Sequence, residues 1–124
     1  MQGEYRSYLR DMLGRARWIA RSIAGRTREQ FGDDLALQDT ITRSLEIIGE
    51  AAKHVPEDVR EQYPYVDWRG FARFRDVIAH AYFRLNLDVV WHAAQASVPS
   101  LAEHLTAILA DLGEDPDGQA ACDE

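Results

Sequence analysis

Four long stretches of this chain repeat apolar residues at three- and four-residue steps, a period that only helices can bury on one face. Tyr5, Leu9, Met12, Ala16, Ile19 and Ile23 make the first stripe and predict an amphipathic helix over residues 5–24. Leu37, Ile41, Leu45, Ile48, Ala52 and Val55 make the second, over about residues 35–54, with Ile47 and Ala51 widening it enough to meet more than one neighbour. Phe71, Phe74, Ile78 and Ala81 make the third. Val90, Trp91, Ala94, Val98, Leu101, Leu105, Ile108 and Leu112 make the fourth. Convincing period-2 alternation is absent, so an all-α, up-and-down bundle of four or five helices is expected.

The punctuation agrees with this division. Gly25 and Gly113 are placed to stop the first and last helices, and Thr27-x-x-Gln30 has the spacing of a capping box. Asp33 or Asp34, then Asp67, then Asn86 or Asp88 are candidate N-caps. Pro56 ends the second long helix and can open a short one through Val59 to Gln62, while residues 63–66 read as an extended connection. Gly49 costs roughly 1 kcal/mol against Ala in mid-helix, which suggests a close helix crossing there. Pro99 falls inside the last stripe and should kink that helix.

Composition adds limits. A chain of 124 residues can bury one real core, and residues 1–113 are expected to form that single domain. Residues 114–124 are acidic and poor in apolar side chains and are expected to be a disordered tail. The one cysteine, Cys122, excludes an internal disulfide framework and suits a reducing cytosol. There is no signal-like start and no apolar run of membrane-spanning length, so a cytoplasmic protein with no membrane partner is expected. Net charge is −7, yet it is unevenly spread. Arg6, Arg10, Arg15, Arg17, Arg21, Arg26 and Arg28 crowd the first 28 residues, whereas no Lys or Arg follows residue 84. Local field rather than net charge decides whether a polyanion is drawn to a face.

The chemistry is concentrated in Arg75-Asp76-Val77-Ile78-Ala79-His80-Ala81-Tyr82. An imidazole can take a proton from a ribose 2′-hydroxyl or give one to a leaving oxygen. A guanidinium can grip a phosphate bidentately, and Asp76 could orient either group. Helical spacing complicates this. Arg75 and Tyr82, seven apart, share a face, but Arg75 and His80, five apart, are turned about 140° from each other. Either the helix loosens near His80, or the site is shared with a second copy across a two-fold dimer. From spacing alone, an Arg and a His on a helix are more often a hydrogen-bonded or solvated pair than catalytic partners. His54, His92 and His104 show no matching constellation, and no metal-ligand spacing is present, so no metal is assigned. Trp18, Trp68 and Trp91 read as core or interface anchors.

Arg75-x4-His80-x-Tyr82 resembles the motif of HEPN domains in the form carried by HepT-like toxins. The likeness extends to residues 43–53, to Pro64, Trp68, Tyr82-Phe83, Val90-Trp91 and Pro99, and covers about residues 5–112. It implies a HEPN-like bundle acting as an RNA-cutting toxin, a homodimer whose metal-independent endoribonuclease site places Arg75 and His80 in the dimer cleft. It also implies an MntA-like nucleotidyltransferase antitoxin that uses ATP and magnesium to attach AMP to Tyr82, the chain itself needing no cofactor. Asp76 is the supporting residue, standing where the family often has Asn, and Arg69, Arg73 and Arg84 are expected to touch RNA. A reading of another class is a non-catalytic helical dimer that binds the nucleotidyltransferase or a nucleotide.

Overall fold

A computed structural model describes residues 4–80 and 86–117. Its helices are α1 (Tyr5–Ile23), α2 (Arg28–Gly32), α3 (Leu35–Lys53), α4 (Glu57–Gln62), α5 (Trp68–His80), α6 (Leu87–His92) and α7 (Val98–Asp111), with a π-helical turn (Ala93–Ser97) joining the last two. Among the described residues there is no strand. The fold is all-α, a HEPN-like bundle with a kinked last helix.

The ends of the helices follow from side chains near them. Thr27 and Gln30 close the capping box reciprocally, the Thr27 hydroxyl accepting from the Gln30 amide at 3.0 Å and the Gln30 side chain accepting from the Thr27 amide at 2.9 Å. Asp34 caps α3, Asp67 accepts from the Gly70 amide at the start of α5, and Asn86 caps α6. Gly25 at φ +74° and Gly113 at φ +81° take the left-handed turns that end α1 and α7.

The kink has a specific form. Pro99 has no amide hydrogen, so a regular helix would leave a carbonyl one turn earlier without its donor. The chain widens just before it instead, the Val98 amide reaching back five residues to the Ala93 carbonyl. Pro99 then falls in the first turn of α7, where its missing donor has no intrahelical role.

Packing runs in the order α5 on α3, α3 on α1, and α1 on α7. Leu9, Met12 and Ile19 of α1 interlock with Ile41 and Ile48 of α3 and with Leu105 and Ile108 of α7 as fully buried core. Each such side chain contributes about 1.5–3 kcal/mol by leaving water. Phe31 of α2 plugs one end against Trp91, ring centroids 5.2 Å apart. At the other end the Trp68 indole N–H donates to the Tyr63 carbonyl, and the Tyr63 hydroxyl donates to Asp111 at 2.6 Å. Burial and then that hydrogen bond push the Tyr63 phenol up to about 12. Of the three tryptophans, Trp68 and Trp91 are buried in the core, whereas Trp18 is 43% exposed, with the Arg21 guanidinium over its ring.

Residues 114–117, the start of the expected tail, lie against α1, where Glu114 pairs with Arg6 and Arg10 and Asp117 pairs with Arg17. Residues 118–124 fall outside the described residues.

α5 is an edge helix and is only partly covered. Trp68 is its one buried residue, Phe71, Phe74 and Ile78 are half-buried, and Arg69, Arg73, Val77 and His80 face outward. It rests on α3 through Gly49. A Cβ placed at Gly49 would stand 2.5 Å from the Phe71 carbonyl oxygen and collide with the Cβ of Arg75. Gly49→Ala would gain up to about 1 kcal/mol of helix propensity. Forcing α5 away should outweigh that, so a net loss of about 1–3 kcal/mol is expected. Thermal or urea unfolding reads it, and an unchanged or raised midpoint would contradict the close crossing.

Candidate functional site

The site lies where α5 crosses α3. Gly49 lets the helices approach until Arg75 sits over the α3 residues that follow Gly49. The Arg75 side chain is 32% exposed, its Nε 3.3 Å from Glu50 Oε1 and its Nη1 3.3 Å from Asp76 Oδ1. Nε is buried without a well-aligned hydrogen bond, so Glu50 holds it by charge. Asp76 Oδ1 also accepts from Lys53 Nζ at 2.7 Å. The other Glu50 oxygen lies 3.4 Å from His54 Nε2, and the His54 ring stacks on Tyr8 at 4.7 Å with the planes 11° apart.

Glu50, Arg75, Asp76 and Lys53 therefore form one chain of alternating charge across two helices, with the His54 ring against its Glu50 end. Beside it is a cavity of about 210 Å³ lined by Tyr8, Asp11, Arg43, Glu46, Glu50 and Arg75, with room for several waters. This revises the sequence reading of His54, which has a constellation after all. Glu50, Lys53 and Tyr8 were also missed. The sequence signal lay in Gly49-Glu50-x2-Lys53-His54: a glycine that permits a neighbour, followed by three charge-bearing residues at steps of three and four on one helical face.

His80 is at the exposed end of α5, which stays helical through it, so the loosened helix end considered above is not found at this residue. Its Nδ1 is 2.7 Å from the Asp76 backbone carbonyl oxygen. A carbonyl only accepts, so Nδ1 carries the hydrogen and Nε2 is the nitrogen able to take up or deliver a proton. The imidazole is thus oriented by the backbone of Asp76, whereas the Asp76 carboxylate serves Arg75 and Lys53. Arg75 turns toward α3 while His80 shares the outer stripe of α5 with Arg69, Arg73 and Val77, the last 52% exposed. With α5 regular through residue 80, Arg75 and His80 stay on different faces of the helix, about 140° apart. Tyr82 and Arg84 lie outside the described residues. Among the described residues, no three His, Cys, Asp or Glu side chains are grouped to hold a metal ion, and no helix is long and apolar enough to cross a membrane.

The Lys53 ammonium, by its hydrogen bond to Asp76, and then Arg75 hold the Asp76 carboxyl below the usual carboxylate range. A carboxylate depressed in the folded state stabilises the fold above its unfolded pKa, and that contribution is lost as pH falls through the folded value. In Lys53→Met the Asp76 titration followed by NMR should move upward toward that of a free carboxyl. No movement would mean that the ammonium is not its main partner.

The model of a family described as "Ribonuclease HepT-like" matches residues 12–108. The chain is 37% identical over 113 residues to a Methanocaldococcus jannaschii protein named "Putative RNase MJ0127", covering 90% of this chain and 93% of that one. It is 36% identical over 101 residues to a Thermococcus cleftensis protein named "Probable ribonuclease HepT", covering 82% and 92% respectively. A Caldanaerobacter subterraneus protein named "Putative RNase TTE0752" is 35% identical over 104 residues, covering 84% and 93%. No solved structure matches the chain. With its helical bundle and its Arg75-x4-His80 motif on an edge helix, the chain belongs to the HepT-like ribonuclease family.

Proposed function

We propose that the protein is the ribonuclease toxin of a toxin–antitoxin pair, cutting RNA without a metal at a cleft shared by two copies. The observation that carries this reading is His80. Its ring is fixed through Nδ1 so that Nε2 looks outward, on a stripe that also presents Arg69 and Arg73. Family membership supplies the substrate class.

In the proposed reaction Nε2 of His80 removes the proton of a ribose 2′-hydroxyl, and that oxygen attacks the adjacent phosphorus. The bond to the 5′-oxygen of the next nucleotide breaks, leaving a 2′,3′-cyclic phosphate. The departing oxygen takes a proton from the imidazolium of the second copy. Negative charge grows on the non-bridging oxygens, where a guanidinium stabilises it best. Within one chain Arg75 is turned about 140° from His80. Pairing two copies through their partly covered α5 helices would let the Arg75 of one serve the His80 of the other, which supports a homodimer. Glu50 and Asp76 keep Arg75 extended and oriented until a phosphate competes for it.

Loss of the general acid–base group should cost on the order of 10²–10⁴ in rate. Purified protein in EDTA should therefore cleave RNA to cyclic-phosphate ends, and His80→Ala should not. Equal cleavage by both would remove His80 from the mechanism. No cleavage by either, together with a tight complex with a nucleotidyltransferase, would favour the non-catalytic binding module.

The control step in this reading is the transfer of AMP from ATP to the Tyr82 hydroxyl by an MntA-like nucleotidyltransferase, with release of pyrophosphate. Tyr82 follows Arg75 by seven residues, so a helix continued that far would put both on one face. The added phosphate could then take the place of RNA at the guanidinium. Incubation with the partner, ATP and magnesium should raise the intact mass by AMP units in the wild type and not in Tyr82→Phe. An equal rise in both would move the modification elsewhere.

A further inference from the structure

The arginines crowded at the start of the chain take no part in the α5 site. At about 100° per residue, Arg6, Arg10, Arg17 and Arg21 fall within roughly 60° of one another on α1. Tyr8, which points to the Arg75 cavity, is on the far side of the helix. The arginine stripe is therefore a separate cationic face.

That face is partly covered by the chain's own acidic end. Gly113 turns the backbone out of α7, and the Glu114 amide donates to the Leu109 carbonyl at 2.8 Å, which sets the exit direction. Glu114 then bridges two arginines, with Arg6 Nη1 at 3.1 Å and Arg10 Nη1 at 2.5 Å. Farther along, Arg17 donates from Nη1 to the Pro116 carbonyl at 3.2 Å and from Nη2 to Asp117 at 2.9 Å. The segment runs along the stripe and sets acceptor oxygens against successive guanidinium groups, as a nucleic-acid backbone does. The hold is graded. The Glu114 side chain is 21% exposed, whereas Asp117 is 78% exposed, and an ion pair that open to water is weak. A competitor with more charge could peel the segment from its outer end.

We propose that the Arg6–Arg10–Arg17 stripe is a second contact surface for an RNA backbone, and that residues 114–117 occupy it as an intramolecular substitute for phosphates until RNA displaces them. The choice of RNA as the polyanion rests on the ribonuclease reading above. Phosphates that replace the acidic segment would release condensed counterions, so binding there is steeply dependent on salt. The device also makes sense of the uneven charge. Cations at one end of the sequence and anions at the other meet in space, and the acidic end screens the basic face against weak or short polyanions.

The test uses the full chain carrying His80→Ala, so that labelled single-stranded RNA stays intact, and follows its affinity against salt. Adding Glu114→Gln and Asp117→Asn should tighten binding about tenfold at low salt. It should also steepen the logarithmic salt slope by about 2, some 0.7 for each of three newly used phosphates. Asp117→Asn alone, at an exposed position, should shift both quantities less and in the same direction. Replacing Arg6, Arg10 and Arg17 by Gln in the same background should abolish the gain. Unchanged affinity, with or without a lowered Tm, would make the ion pairs a clasp between helix ends and overturn the proposal. So would a gain that survives loss of the three arginines. If the chain with His80 intact cuts no RNA while the stripe-dependent gain is present, the contact surface stands and the ribonuclease reading falls.

Discussion

The close approach of α3 and α5 at Gly49 is the constraint on which the site depends. Without a side chain at that position, the α3 backbone comes within reach of Phe71 and Arg75, and the residues after Gly49 become the floor beneath the motif. Glu50 and Lys53 meet Arg75 and Asp76 there because both helices present charge at the same height. A larger residue at 49 would separate the helices and with them the two contacts that cross between them, Glu50 with Arg75 and Lys53 with Asp76. Among the described residues α3 is the main neighbour of α5, and Arg69, Arg73, Val77 and His80 on its outer stripe are exposed.

The polar groups of the motif are divided between two faces with different physical roles. Arg75 is half-buried and held by two carboxylates, which limits its motion and keeps its charge partly neutralised. His80 is exposed and, among the described residues, tied through Nδ1 to its own helix, which defines its tautomer and leaves Nε2 as the nitrogen able to exchange a proton. Asp76 serves both faces, its carboxylate on one and its backbone carbonyl on the other. The same pattern of screened cations recurs at α1, where acidic residues distant in sequence lie on arginines. A chain with thirteen arginines and a net charge of −7 thus keeps much of its positive charge in internal pairs.

Much of the fold was legible in particular residues. The capping pair Thr27/Gln30, the caps Asp34, Asp67 and Asn86, and the stops Gly25 and Gly113 act through local geometry, so their spacing announces them. The break at Pro99 could be located but not described. The missing donor is legible in the sequence, while the form of the adjustment, a π-turn over Ala93–Ser97 closed by the Val98 amide on the Ala93 carbonyl, is seen only in the folded chain. Within the site, Arg75, Asp76 and His80 stood out because they fall within six adjacent residues. Tyr8 and Glu50 did not, since their roles arise from contacts between residues 25 or more positions apart.

By itself, the sequence determined the helical period, the helix ends, the Gly49 crossing as a possibility, and the turn of about 140° that separates Arg75 from His80 on any regular helix. These follow from backbone geometry and from side chains acting within a turn or two. Only the tertiary structure decided which residues meet that crossing, that Glu50 and Asp76 share Arg75, that His54 joins the network through Glu50, and that the acidic end of the chain lies on the arginines of α1. The reason is range. Ion pairs and close packing act over a few ångströms in space, and only the folded chain brings distant residues that near.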